Sequence, residues 1–166
     1  WNQTGKKPKH IFFICHSFQM AMRFFSLGQL LPRNSMSFGT FPVHLTNNGM
    51  TDPIFKGLPN PFYAADFRRY QVIHPNMDRF NELGAELLAL EKIRPHVPLE
   101  RAIMAVRFSP TIFGVQFHPE ADPQGMLIHF RDESQRLYIL EHHGEEKYLR
   151  MMADLRHPGK IKLTHQ

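Results

Sequence analysis

The stretch "HIFFICHSFQMAMRFF", His10 to Phe25, holds the chain's only cysteine and decides how the fold is read. Its opening, "HIFFI", is a short apolar run of the kind found in a strand buried on both faces of a parallel sheet. From His16 the apolar residues recur at helical spacing, at Phe18, Met22, Phe25 and then Leu30. That spacing predicts a helix from His16 to Leu31, closed by Pro32. Cys15 therefore falls at the junction of a strand and a helix. A cysteine there is either a small buried hydrophobe or a nucleophile raised on a sharp turn.

Outward from this stretch, "MSFGTFPVHL" (Met36 to Leu45) reads as extended, with Gly39 and Pro42 marking irregularity or an edge. "NNGMTDP" and "FKGLPNP" are turn clusters. "FYAADF" (Phe62 to Phe67) is a strand, followed by "YQVIHP" ending at Pro75. "AELLALEKI" suits helix or strand, and its short apolar neighbours favour strand. "RAIMAVRF" and "IFGVQFHPE" are two further strands joined by "SPT". Beyond Pro123 the pattern is helical through Met152, with breaks at "HHG" and "HPG". Strands that mostly precede helices and lack alternation predict an α/β domain. Its sheet should be mostly parallel, flanked by helices, with an antiparallel elaboration in the middle.

Composition narrows the function. The 166 residues suffice for one domain with a sizeable core. A single cysteine rules out an internal disulfide framework and fits a reducing, cytoplasmic setting. No apolar run approaches the roughly 20 residues that span a bilayer, so no membrane role is expected. The net charge of +5 raises the question of nucleic acid, but the basic residues are scattered. Their only tight cluster, "KKPKH" at Lys6 to His10, reads as a solvated loop, and no nucleic-acid partner is expected. Eleven histidines show no metal-ligand spacing with a third partner, and no metal site is predicted.

Two segments carry chemistry. At Cys15, an apolar strand before and an amphipathic helix after would present the helix N-terminus, with the backbone N–H of His16, to a developing oxyanion. The same helix terminus favours the thiolate. Far along the chain, "GVQFHPE" places His118 and Glu120 just past a strand end. Residues i and i+2 of an extended chain project to one side, and Pro119 stiffens the segment between them. A base and its orienting carboxylate could thus come from one short segment, completing a Cys-His-Glu arrangement.

These two motifs resemble those of the class I glutamine amidotransferases, the triad glutaminases, and within them a GMP-synthase-like stand-alone glutaminase domain. The family's second motif, G-V-Q-F-H-P-E, is matched from Gly114 to Glu120. Its first, G-I-C-x-G-x-Q, is matched at Ile14, Cys15 and Gln19. "FPVHLT", "DPIFKGLP" and the strand leading to "YQVIHP" are also similar, so the likeness runs from about Ile11 to Asp122.

The resemblance implies a flavodoxin-like fold and hydrolysis of the glutamine side-chain amide through a Cys15 thioester. In this reading His118 is acid and base, Glu120 orients it, His16 N–H serves the oxyanion and Gln19 holds substrate. No cofactor is implied. The ammonia would pass to a synthetase or acceptor, in another domain or another protein chain, and a homodimer is compatible. Residues 1–122 would form the catalytic core and 123–166 a C-terminal helical segment of the same domain.

Three departures matter. Phe13 and Ser17 replace glycines on either side of the nucleophile. Only fourteen residues, opening "WNQTG", precede Cys15, where the family carries several strands, so a core lacking its N-terminal part is expected. "ADFRRYQ" stands where many members have a Ser-His pair that binds glutamine's α-groups. Arg68 or Arg69 there could clamp a substrate carboxylate. Two alternatives therefore accompany the glutaminase reading. One is a hydrolase of another γ-glutamyl or small amide substrate with the same three residues. The other is a catalytically silent amidotransferase-like regulatory module.

Overall fold

The computed structural model describes residues 7, 9–96, 98, 100–161 and 164. The "WNQTG" opening, and Lys6 and Pro8 of the basic cluster, lie outside the described residues.

Among the described residues six strands form a single sheet: β1 (Ile11–Ile14), β2 (Gln29–Leu45), β3 (Phe62–Ile73), β4 (Glu86–Glu91), β5 (Ile103–Ser109) and β6 (Ile112–Val115). Their order is β1-β6-β5-β4-β2-β3. Among the described residues only β1 and β6 pair in parallel, and every other neighbouring pair is antiparallel. The expected mostly parallel sheet is therefore corrected to a mixed, mostly antiparallel one. The connections give the reason. Parallel neighbours need a long crossover, whereas β5 and β6 are joined by Pro110 and Thr111 alone. Unbroken apolar runs do not report strand direction.

Helix α1 (His16–Phe24) follows β1, and Leu27 N–H bonds back to the Met22 carbonyl at 3.0 Å as the chain leaves it. The helix predicted through Leu31 stops well short of that residue. Leu27 and Leu30 supply apolar side chains from the loop and from β2 instead. Pro32 does not end a helix. It pairs with Tyr70 inside β2, just before a register break that runs to Ser37, where its missing N–H is tolerated. β1 is not buried on both faces, because Phe12 is 48% exposed and the strand pairs only with β6 among the described residues.

"NNGMT" is a short helix, α2 (Asn47–Thr51), capped by the Thr46 hydroxyl, where the sequence predicts a turn. Helix α3 (Met77–Leu83) has no apolar pattern that predicts it. Asn76 caps its start and Gly84, in the left-handed conformation, its end. Helices α4 (Pro123–Arg131), α5 (Glu133–His143) and α6 (Glu145–Arg156) follow the sheet, and Gly144 breaks the chain between the last two.

Three apolar clusters hold these elements. Phe18 and Met22 of α1 pack with Val72, Ile103, Val106 and Phe108. Phe62, Ala64, Met104, Phe113 and Phe117 form a second core. Helices α4 to α6 close over Ala65 with Leu127, Phe130, Ile139, Met151 and Leu155. Each fully buried side chain of this size contributes roughly 1.5–3 kcal/mol of transfer free energy. The sheet also curls: Ala65 of β3, at one edge, bridges to His118 beyond the end of β6. That curl brings β3 to the cysteine.

Candidate active site

Cys15 caps α1 with φ 49° and ψ −102°, a left-sided backbone that a non-glycine residue adopts only when its surroundings enforce it. Several contacts do so. Cys15 N–H bonds the Val115 carbonyl at 2.9 Å, and its own carbonyl accepts from Gln19 N–H at 3.0 Å. Ser17 Oγ accepts from Ile14 N–H at 2.8 Å and donates to the Ile14 carbonyl at 2.9 Å, tying the turn together. A glycine could make neither bond.

Phe13 is accommodated by the opposite strand. In the parallel register it faces Gly114. A Cβ on Gly114 would lie 2.8 Å from Phe18, 3.0 Å from Phe108 and 3.2 Å from the Phe13 Cβ. The bulk that the family's glycine avoids on β1 is thus offset by the glycine on β6. Phe13 then packs edge-on to Phe108 at 5.7 Å.

The second motif arrives from β6. His118 is pinned by its N–H to the Ala65 carbonyl at 2.9 Å, and its ring lies 5.9 Å from that of Phe67. Its Nδ1 meets Glu120 Oε1 at 2.6 Å. A hydrogen bond with Cys15, and after it the bond to Glu120, push the His118 pKa up to about 9 against the opposing effect of burial. The imidazolium is therefore the favoured form at neutral pH. The thiol of Cys15 is directed at the Phe67 carbonyl, 3.9 Å away, two residues along β3 from the Ala65 carbonyl that holds His118. His16 occupies the first position of α1, where a helix N–H has no intrahelical acceptor.

Gln19 and Arg68 are placed elsewhere than as free substrate ligands. Gln19 is 5% exposed, and its Nε2 donates to Gln116 Oε1 at 3.0 Å and to the Tyr70 carbonyl at 3.4 Å. Gln116, wholly buried, in turn donates from Nε2 to Cys15 Sγ at 3.7 Å. Two acceptors facing the Gln19 amide nitrogen fix which way the Gln116 amide points. Sequence reasoning does not single out Gln116. The available signal is a lone polar residue inside the apolar run "FGVQF".

Arg68 is 3% exposed and pairs with Asp66 at 2.9 Å and Glu91 at 3.2 Å. It points away from His118, which it does not join. Its neighbour Arg69 is exposed and, by strand alternation, lies on the Phe67 side. Among the described residues no group of three His, Cys, Asp or Glu side chains could hold a metal ion. Nor is any described helix long and apolar enough to cross a membrane.

A cysteine on a strand-to-helix turn and a histidine bonded to a carboxylate thus both meet β3 of one curled, mixed sheet. The family described as Glutamine amidotransferase class-I matches residues 3–131, and the chain belongs to it. No curated protein matches the chain in sequence. Among solved structures, a glutamine amidotransferase from Thermotoga maritima superposes with a TM-score of 0.61 at 13% identity, over 93% of this chain and 56% of that one. A GMP synthase component from Thermoplasma acidophilum gives 0.51 at 20% identity, over 68% and 49%. The glutaminase domain of Trypanosoma brucei CTPS, with bound acivicin, gives 0.52 at 17% identity, over 66% and 52%. These likenesses show a shared fold, and this chain spans about half the length of those structures.

Proposed function

We propose that the protein is a glutaminase of the amidotransferase type. The observation that supports this best is His118 Nδ1 held by Glu120 Oε1 at 2.6 Å, on a segment that β3 binds at Ala65, two residues from the Phe67 carbonyl that faces the Cys15 thiol. In this reading the Cys15 thiolate attacks the amide carbon of glutamine, and the His16 N–H donates to the resulting oxyanion. The protonated His118 gives its proton to the departing nitrogen, ammonia leaves and a γ-glutamyl thioester remains. Neutral His118 then takes a proton from water, the hydroxide attacks the thioester, and glutamate departs as Cys15 is restored. Glu120 holds the imidazole in register and stabilises its charged form. Gln116 donates to the sulfur throughout, and Gln19 serves by fixing the Gln116 amide. The ammonia passes to an acceptor on a synthetase domain or partner protein.

The test is covalent capture. Treatment with acivicin, an electrophilic glutamine analogue, is expected to add one adduct on Cys15, located by peptide mass, with His118→Ala slowing labelling about a thousandfold. A Cys15 that reacts with iodoacetamide but ignores acivicin overturns glutamine as substrate. It would favour another γ-glutamyl or small amide substrate, a reading supported by exposed Arg69 in place of a Ser-His pair. A thiol inert to both reagents at neutral pH points to a silent regulatory module.

A further inference from the structure

A second feature shares only Arg69 with the readings above. A cleft of about 540 Å³ opens between the β2–β3 edge and the junction of α5 and α6. Arg33, Arg69, His142, His143 and Lys147 line it, and no carboxylate does. Tyr138, His142, His143 and Lys147 lie beyond residues 3–131, the part matched by the family.

The charge of Arg69 and Lys147 is not consumed by the fold. Among the described residues, neither Arg69 nor Lys147 has a carboxylate within salt-bridge distance, and both are exposed. Of the lining cations only Arg33 meets a nearby acid, Glu91 at 3.1 Å, while Glu146 is taken by Arg150 at 2.6 Å. Glu141 reaches only 4.0 Å from His142 Nδ1, a nitrogen that already faces the Tyr138 carbonyl at 2.9 Å. Lys147 sits in the first turn of α6, where a cation opposes the helix dipole.

The imidazoles are held in place by stacking rather than by ion pairs. His143 stacks on Phe38 at 4.3 Å and His142 on Tyr138 at 4.1 Å. Burial lowers the His143 pKa, and the positive field of Lys147, His142 and Arg69 lowers it further. Concave walls of one sign focus their field into the space between them. Such a wall costs stability when empty and is offset by a ligand of opposite sign.

We propose that this cleft binds a small molecule carrying two or more anionic groups, carboxylates or phosphates. Two exposed donors from different elements, Arg69 of β3 and Lys147 of α6, grip it from opposite walls. The tyrosines beside them offer apolar contact to the rest of the molecule. A monoanion satisfies only one wall, so multiple charge is the recognition feature.

The site does not depend on the thiol's activity, and its test reads binding directly. Pyrophosphate and citrate are titrated into the full chain by calorimetry at physiological salt, with acetate as the monoanion control. At least one of the two is expected to saturate at one per chain while acetate does not. Pyrophosphate alone points to a phosphate-bearing ligand, and citrate alone to a polycarboxylate. Arg69→Gln and Lys147→Gln, both at exposed positions, should each weaken binding by roughly tenfold. By linkage, the bound anion should raise the His143 titration midpoint seen by NMR. Failure of both probes to saturate overturns the proposal. So does saturation that neither substitution weakens, and so does acetate binding as tightly as the polyanions.

Discussion

Arg68 and Arg69 are adjacent, chemically identical and placed on opposite faces of β3. Arg68 is 3% exposed and enclosed by Asp66 and Glu91, in a group that also draws in Arg33 and Arg94. Arg69 stands in the open on the face that carries Phe67, and it lines the basic cleft. One face of the strand turns its charge inward to hold the β2, β3 and β4 strands together. The other keeps its charge available. Period-two alternation makes that division. A pair of arginines in a sequence is thus two different statements about the molecule.

The largest effect should come from breaking the inward face. Arg68→Met removes a buried cation and leaves Asp66 with only the Ser37 hydroxyl, at 2.8 Å, in the described structure. Stranding a buried carboxylate in this way costs about 3 kcal/mol, measurable by urea denaturation. Labelling of Cys15 at temperatures where the variant remains folded should be little changed. A variant as stable as the parent would show that the buried ions contribute no net stability.

A second test sharpens the comparison through pH. The folded-state pKa of His118 is raised to about 9, above the ordinary 6.5. Its contribution is therefore fully present below pH 6.5 and is lost as pH rises through about 9. The loss should be on the order of 2 kcal/mol, with allowance for the ring's partial contact with water. Denaturation curves from pH 6 to 10 should show the decline, and His118→Asn should flatten it. A parent protein with equal stability at both ends of that range would remove the hydrogen-bonded imidazolium from the account.

How much of this is legible in the sequence follows the same division. Cys15, His118 and Glu120 are legible because each announces itself locally, as a strand-to-helix junction or as alternate residues of one stiff segment. Strand direction is not, and nor is the cover of β1, since a run such as "IFFI" shows neither which way its neighbour runs nor that Phe12 is 48% exposed. The fit of Phe13 depends on Gly114, far along the chain, and only the β1–β6 register brings them together. Gln19 reads as a substrate ligand in sequence, but its partners Gln116 and Tyr70 come from distant segments. The choice between Arg68 and Arg69 waits on the curl of the sheet, which sets the face that meets the thiol.

The smallest effect tests the outward face and has the most discriminating sign. Arg69→Gln removes an exposed charge with no carboxylate partner among the described residues, so stability at neutral pH should change by no more than about 0.5 kcal/mol. The informative change is at His143. Its folded-state pKa lies below the ordinary value, so its protonation opposes folding and stability should fall as pH drops from 6.5 through the lowered folded pKa. This is the reverse of His118. Arg69 is one of the positive neighbours that lower it, so its removal should raise the His143 midpoint and weaken that acid-side dependence. NMR titration of the two rings in one sample reads both signs at once. A His143 midpoint that Arg69→Gln leaves unmoved would mean that Arg69 does not act on the cleft, and that the outward face carries its charge only into solvent.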